Sequence, residues 1–189
     1  MTHEKLLVAV TGASGMVYVP ALLNELSQGD VIVHGICSSS GREVLAMEQG
    51  LQPDNLPHVE KWFDEKDFSA PPASGSSDYQ AMVIIPCTMG TLASVANGLS
   101  INLIHRAADV MLKERRRLIL VVRETPLNRN HLQNMLKVHD AGGIICPAMP
   151  GYYLNPKTIE EAARTFAWKV TDLLNIVVPG RRRWEGKIT

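Results

Sequence analysis

Residues 5–16 read KLLVAVTGASGM, and this stretch decides the architecture. Residues 5–11 form an almost unbroken apolar run of β type, and a Gly-Ala-Ser-Gly turn follows at once. A strand buried on both faces that turns straight into a helix is how a parallel α/β sheet begins. The figure recurs downstream. Runs 31–37 (VIVHGIC), 81–86 (AMVIIP), 118–123 (LILVVR) and 143–146 (GIIC) have the same character. Helical patterns over 17–27, 41–49, 91–97, 103–113 and 131–141 alternate with them. A last helix is predicted over 158–174, where Thr158 as N-cap and Glu161 three residues on form a capping-box pattern. This order predicts an α/β fold, a doubly wound parallel sheet with right-handed crossovers. Residues 52–78, with PPASGSSD near the end, form the one long irregular stretch.

Length and composition set the outer bounds. The 189 residues are 46% apolar and 20% charged, which excludes disorder and fibrous architectures. One domain over 1–178 with a C-terminal arm over 179–189 is expected, the arm carrying three consecutive arginines. Cys37, Cys87 and Cys146 are odd in number and lack CxxC spacing, so neither a disulfide framework nor a structural zinc site is indicated. The six histidines show no HxxxH or HExxH spacing, and no metal is expected. No apolar run approaches the roughly 20 residues that span a bilayer. These features predict a cytoplasmic protein that does not enter a membrane.

The net charge of zero conceals a division. Residues 1–104 carry four basic and eleven acidic side chains (net −7), and residues 105–189 carry fifteen and eight (net +7). The basic residues are scattered, with no interleaved aromatics for base stacking, so nucleic acid is not the expected partner. Complementary halves that meet between subunits, or a basic half that gathers phosphates, both fit.

In a doubly wound sheet the ligand binds at the carboxyl ends of the strands. The first strand leads into Thr11-Gly12-Ala13-Ser14-Gly15, the second into Ser38-Ser39-Ser40-Gly41, the third into Cys87-Thr88-Met89-Gly90-Thr91. No acidic residue stands after the second strand to hold a dinucleotide ribose. Hydroxyls and free backbone N–H groups suit a phosphate monoester, and the three turns together point to a phosphate-bearing, flavin-like ligand. Each turn could equally serve only to cap its helix. The fourth strand ends in Arg123-Glu124, either a structural ion pair or a phosphate clamp beside an acid/base. The fifth leads into PAMPGYY (147–153), a binding loop with two tyrosines or a packed corner. The run Lys113-Glu114-Arg115-Arg116-Arg117 reads as a helix end complementing the macrodipole.

Longer blocks add a resemblance. GASG, CTMGTLASVANG, NLIHRAADVMLKERRRLILVVRETPL and HLQNMLKVHDAGGIICPAMPGYY resemble the UbiX family of flavin prenyltransferases across essentially the whole chain. The resemblance implies a flavodoxin-like, Rossmann-like, three-layer fold assembled as a homododecamer with sites between subunits. It implies a metal-independent alkyl transfer from dimethylallyl monophosphate to N5 and C6 of reduced FMN. The prenylated FMN would then serve a UbiD-type decarboxylase.

Carried over by position, Gly12, Ala13, Ser14 and Ser38 match FMN-binding positions, as do Thr88, Met89, Gly90, Thr91 and Arg123. Glu124 matches the adjacent acid, which needs a pKa lifted by burial to exchange a proton with the leaving phosphate and the flavin ring. Ser14 falls near flavin N5, and Glu48 matches a further site-lining acid. Lys113, Tyr153, Lys169 and Arg123 match positions that handle the prenyl phosphate, Lys169 standing where many members have Arg. Ser39 replaces a commoner Lys or Arg. Trp62, Phe63 and Phe68 lie in the loop expected around the prenyl chain. Flavin-dependent cysteine decarboxylases and a flavin carrier without chemistry are the alternatives on the same fold. The first lacks its catalytic His here, and Lys113, Glu124 and Tyr153 exceed what a carrier requires.

Overall fold

The computed structural model describes residues 4–183 and Gly186. Six strands, β1 (Glu4–Val10), β2 (Val31–Cys37), β3 (Lys61–Phe63), β4 (Tyr79–Cys87), β5 (Arg117–Val122) and β6 (Ile144–Ile145), form one sheet in the order β3-β2-β1-β4-β5-β6. Every neighbouring pair is parallel. The helices are α1 (Tyr18–Leu26), α2 (Ser39–Gln49), α3 (Met89–Ala96), α4 (Leu103–Lys113), α5 (Arg129–Asp140) and α6 (Ile159–Leu174). Because successive strand side chains point to opposite faces, the continuous apolar runs feed two cores. Leu6, Val8 and Val10 of β1 pack with residues of α1, α2 and α6 on one face. Leu7 and Ala9 pack with residues of α3, α4 and α5 on the other. From β1 and β4, neighbours in the sheet, the chain winds outward in opposite directions, so the switch point lies between the turns that follow them.

One charge enters the helical layer on the α1 side. Glu25 is 2% exposed, and its carboxylate accepts from Arg164 Nε and Trp168 Nε1 of α6, both at 2.8 Å. Both oxygens are therefore satisfied, as a buried carboxylate requires. Thr158 caps α6 as its sequence suggests, its hydroxyl accepting from the Glu161 N–H at 3.1 Å. The reciprocal half of the capping box is displaced: the Glu161 carboxylate takes the Lys157 N–H, one residue earlier.

Expected and observed elements differ at their ends by one or two residues, with two larger departures. β6 shrinks to two residues, and β3, three residues inside the 52–78 stretch, was not expected at all. So short a strand carries no periodicity of its own; pairing with β2 at Gly35 and Ile36 defines it. Of the arm, Arg181 and Arg183 fold back onto Asp172 of α6. Trp184, Glu185 and residues 187–189 lie outside the described residues, as does His3 at the other end.

Candidate active site

At the carboxyl edge the first three turns are bonded into one surface. The buried Thr11 hydroxyl donates to the Pro86 carbonyl at 2.8 Å and accepts the Thr88 N–H at 2.9 Å, locking the turn after β1 to the turn after β4. The turn after β2 is fitted against the first by two glycines. A Cβ on Gly12 would lie 2.6 Å from the Ser40 side chain, and one on Gly41 would lie 2.7 Å from the Val10 carbonyl. No larger residue fits at either position without moving a turn.

Both readings of the hydroxyl-rich turns hold at once. Ser38 caps α2 by accepting the Gly41 N–H at 3.0 Å, and Thr88 caps α3 by accepting the Thr91 N–H at 3.1 Å. Capping uses lone pairs, so the Ser38 hydroxyl hydrogen can still turn, with Ser40 Oγ 3.2 Å away as one partner. The Thr88 hydroxyl spends its hydrogen on Thr91 Oγ1 at 3.0 Å. At Gly90 a Cβ would meet only the Thr88 hydroxyl at 3.9 Å, so that face of the α3 N-terminus is open. A helix start left open in this way, and tied through Thr88 to Thr11 at the first turn, fits a phosphate ester.

Three expected site residues meet here. Glu48, in the last turn of α2, reaches across so that one carboxylate oxygen accepts the Gly15 N–H at 2.9 Å and the Met16 N–H at 2.8 Å. It also accepts from the Ser14 hydroxyl, and Arg123 faces the same carboxylate. Burial pushes the Glu48 carboxyl up, but the bonds from Ser14, Met16 and Gly15, with the Arg123 charge behind them, outweigh it and hold the group below the ordinary carboxylate value. Tyr18 stands alongside, its ring against Gly15 and 5.0 Å from the Phe166 ring. Burial and the nearness of Tyr152 raise its phenol against the pull of Arg123.

The bond set at Glu48 has a measurable pH signature. A carboxyl depressed on folding adds stability above its unfolded pKa, near ~4.3, and that contribution drains away as pH falls through the folded value. Glu48→Gln should therefore melt below the wild type at pH 7, and the gap should close as pH falls below about 4.3. Thermal unfolding of both proteins across that range is the check; a gap that stays constant with pH contradicts the assignment.

Other expected residues stand apart. Glu124 follows Arg123 at the end of β5 but is exposed, its Oε1 accepting the Thr125 N–H at 2.9 Å. The burial expected around its carboxyl is thus not supplied within one chain. Tyr152 and Tyr153 are 74% and 58% exposed on the loop after β6. Lys169 is exposed on α6, close enough to Cys146 to draw its thiol down against the larger upward push of burial. Lys113 departs most. It closes α4 at the amino edge of the sheet, where its ammonium pairs with Glu114 beside Gly75. The six residues of β5 put about 20 Å between that edge and Arg123. Arg116 and Arg117 nearby donate to backbone carbonyls of Ser77, Gly75 and Leu174.

Among the loop aromatics the structure separates the candidates. Trp62 packs against the α1-side core, Phe63 is buried, and Phe68 is 47% exposed. Sequence reasoning missed Thr11, Glu65 and Asn102. A threonine closing an apolar strand was the available signal for Thr11. Glu65, in a loop with several acids, gave none. No group of three or more His, Cys, Asp or Glu among the described residues could hold a metal ion, and no described helix is long and apolar enough to cross a membrane.

Known proteins match the chain along most of its length. The Flavoprotein family model matches residues 1–178. A flavin prenyltransferase UbiX of Methanothermobacter thermautotrophicus is 48% identical over 185 residues, covering 97% of each chain. One from Halalkalibacterium halodurans is 43% identical over 94% of this chain and 91% of its own. A crystal structure of AnUbiX in complex with FMN and dimethylallyl pyrophosphate superposes with a TM-score of 0.95 at 36% identity, covering 98% of this chain and all of that one. A dodecameric FMN-dependent UbiX-like decarboxylase from Escherichia coli O157:H7 gives 0.91 at 34%, over 96% and 100%. The cysteine decarboxylase TvaF, at 18% identity and 0.62, shares the fold alone. A doubly wound sheet with three bonded turns at its carboxyl edge, matched along its length by such relatives, leaves one assignment: the chain belongs to the UbiX flavin prenyltransferase family of flavoproteins.

Proposed function

We propose that this protein binds reduced FMN on the surface formed by Gly12–Ser14, Ser38, Thr88–Thr91 and Arg123, and alkylates it with the dimethylallyl group of dimethylallyl monophosphate. The carrying observation is the bonding of the three turns by Thr11, with Glu48, Ser14 and Arg123 gathered on the resulting edge. The flavin supplies the nucleophilic N5 and C6. The protein's part is to hold the phosphate, move protons and exclude water. Arg123, Lys169 and the Tyr153 hydroxyl neutralise the departing phosphate by charge-assisted bonds, which replaces any need for a metal. Glu124 gives that phosphate a proton and later accepts one from the ring. Phe68 is the aromatic left available to face the prenyl chain.

Lys113 joins this set from a second subunit. Its own chain holds it at the opposite edge, and the described relative of E. coli is dodecameric. The same neighbour would cover Glu124. The product passes to a UbiD-type decarboxylase, in a cytoplasm whose reducing conditions suit the three free, buried thiols.

Purified protein is expected to carry FMN and to bind FAD far less well, because the turn after β2 carries no acid of its own for a dinucleotide ribose and the nearby Glu65 is engaged by Ser39 and Asn102. Extraction and chromatography decide it. Anaerobic incubation with reduced FMN and dimethylallyl monophosphate should then add one prenyl group to the flavin by mass. Stoichiometric FAD, or an unmodified flavin, defeats the proposal.

A further inference from the structure

Glu65 lies two residues past β3, half-buried, where the 64–78 loop crosses the carboxyl edge. Its Oε1 accepts the Ser39 backbone N–H at 2.7 Å and the Ser39 hydroxyl at 2.5 Å. Its Oε2 accepts from the Asn102 side-chain amide at 3.2 Å, and its own carbonyl accepts the Leu103 N–H at 2.7 Å. Asn102 in turn caps α4, taking the His105 N–H on Oδ1 at 3.0 Å. One residue thus fastens the start of α2, the long loop and the start of α4 together.

The position is specific. Ser39 opens α2 directly after Ser38, and its N–H is one that a helix leaves without an internal partner. A carboxylate there meets the positive end of the helix and makes charge-assisted bonds. Ser40, the next residue, is the one wedged against Gly12. Wherever Ser39 is pinned, the Ser38 hydroxyl and the cleft between the first two turns are pinned with it. His105 also faces this cluster: it is 8% exposed, and its Nδ1 has no hydrogen-bond partner. Burial lowers the His105 pKa and Glu65 opposes that, which places Glu65 close to the ring as well. Arg42 completes the charges at this turn: burial pushes the Cys37 thiol up, Arg42 draws it down, and Glu65 opposes Arg42.

The Glu65 side-chain bonds reach neither apolar core; only its backbone carbonyl bonds a core residue, the buried Leu103. Ser39 is exposed and Glu65 half-buried, so surface bonding of this kind adds little to global stability. Its effect falls on the geometry of the ligand edge. We propose that Glu65 is a positioning residue for flavin binding: it fixes the second turn, and the loop beside it, in the arrangement that receives the cofactor. This rests on the FMN site proposed above.

Two variants and two readouts test it. Glu65→Ala should raise the KM and Kd for FMN by about tenfold, the scale of losing a charge-assisted hydrogen-bond pair, while kcat at saturating flavin and the melting temperature stay near wild type. Glu65→Gln should recover most of the affinity, because an amide oxygen still accepts both Ser39 donors. Hydrogen exchange on the flavin-free protein should show faster exchange at the Ser39 amide in Glu65→Ala. A general structural role predicts a lowered melting temperature with KM unmoved, and overturns the inference. So does unchanged exchange at Ser39. A wild type that binds no FMN at all defeats the site proposal itself, which separates the two failures.

Discussion

Glu124→Gln is expected to retain FMN and to slow prenyl transfer by ~10²-fold or more, the usual scale for losing an acid/base group. The amide keeps the shape and can still accept the Thr125 N–H that Glu124 accepts now. It cannot exchange a proton at neutral pH. The rival account makes Glu124 an ion-pair partner of Arg123 with no chemical part. Were that pair buried in the assembly, removing one member would leave the guanidinium uncompensated, lowering the melting temperature and loosening FMN. A single-turnover rate, FMN occupancy and thermal stability measured on this one variant separate the accounts. Loss of flavin and stability together, with normal turnover in the residual holoenzyme, removes Glu124 from the mechanism.

The position of Lys113 yields the second large effect. If each site takes Glu124 from one chain and Lys113 from another, two damaged chains should repair each other. Lys113→Ala acts mainly on prenyl-phosphate binding, so at limiting phosphate it should be nearly inactive, as Glu124→Gln is. Co-expressed in equal amounts, the two should assemble mixed oligomers in which random assortment restores both residues to about a quarter of the sites. Activity near a quarter of wild type from two inactive parents is the expected result. No recovery in confirmed mixed oligomers shows that both residues come from one chain, contrary to the 20 Å scale of separation along β5. A monomer by light scattering at micromolar concentration removes the basis of the prediction altogether.

The legible part of the site was local. Gly12, Ala13, Ser14, Ser38 and Thr88–Thr91 announced themselves because each follows an apolar strand and opens a helix, a pattern contained within about ten residues. Arg123 and Glu124 were legible the same way, at the end of β5. Resemblance in the longer motifs then supplied the roles proposed for Glu48, Lys113, Tyr153 and Lys169, but not their places. Phe63 and Phe68 looked alike as loop aromatics; only burial told them apart.

The sequence by itself determined the order and type of the elements, since side-chain periodicity along strand and helix is a short-range property that each segment carries alone. It determined as well that hydroxyl-bearing turns would open helices at the carboxyl ends of the strands. The tertiary structure decided which groups meet. Glu48 reaches Gly15 over 33 residues of chain, Thr11 reaches Thr88 over 77, and Glu65 reaches Asn102 over 37. No local pattern encodes such contacts, because they follow from which strands become neighbours in the sheet. The same winding sets Lys113 on the opposite edge from Arg123: a helix that returns antiparallel to its strands ends where the next strand begins.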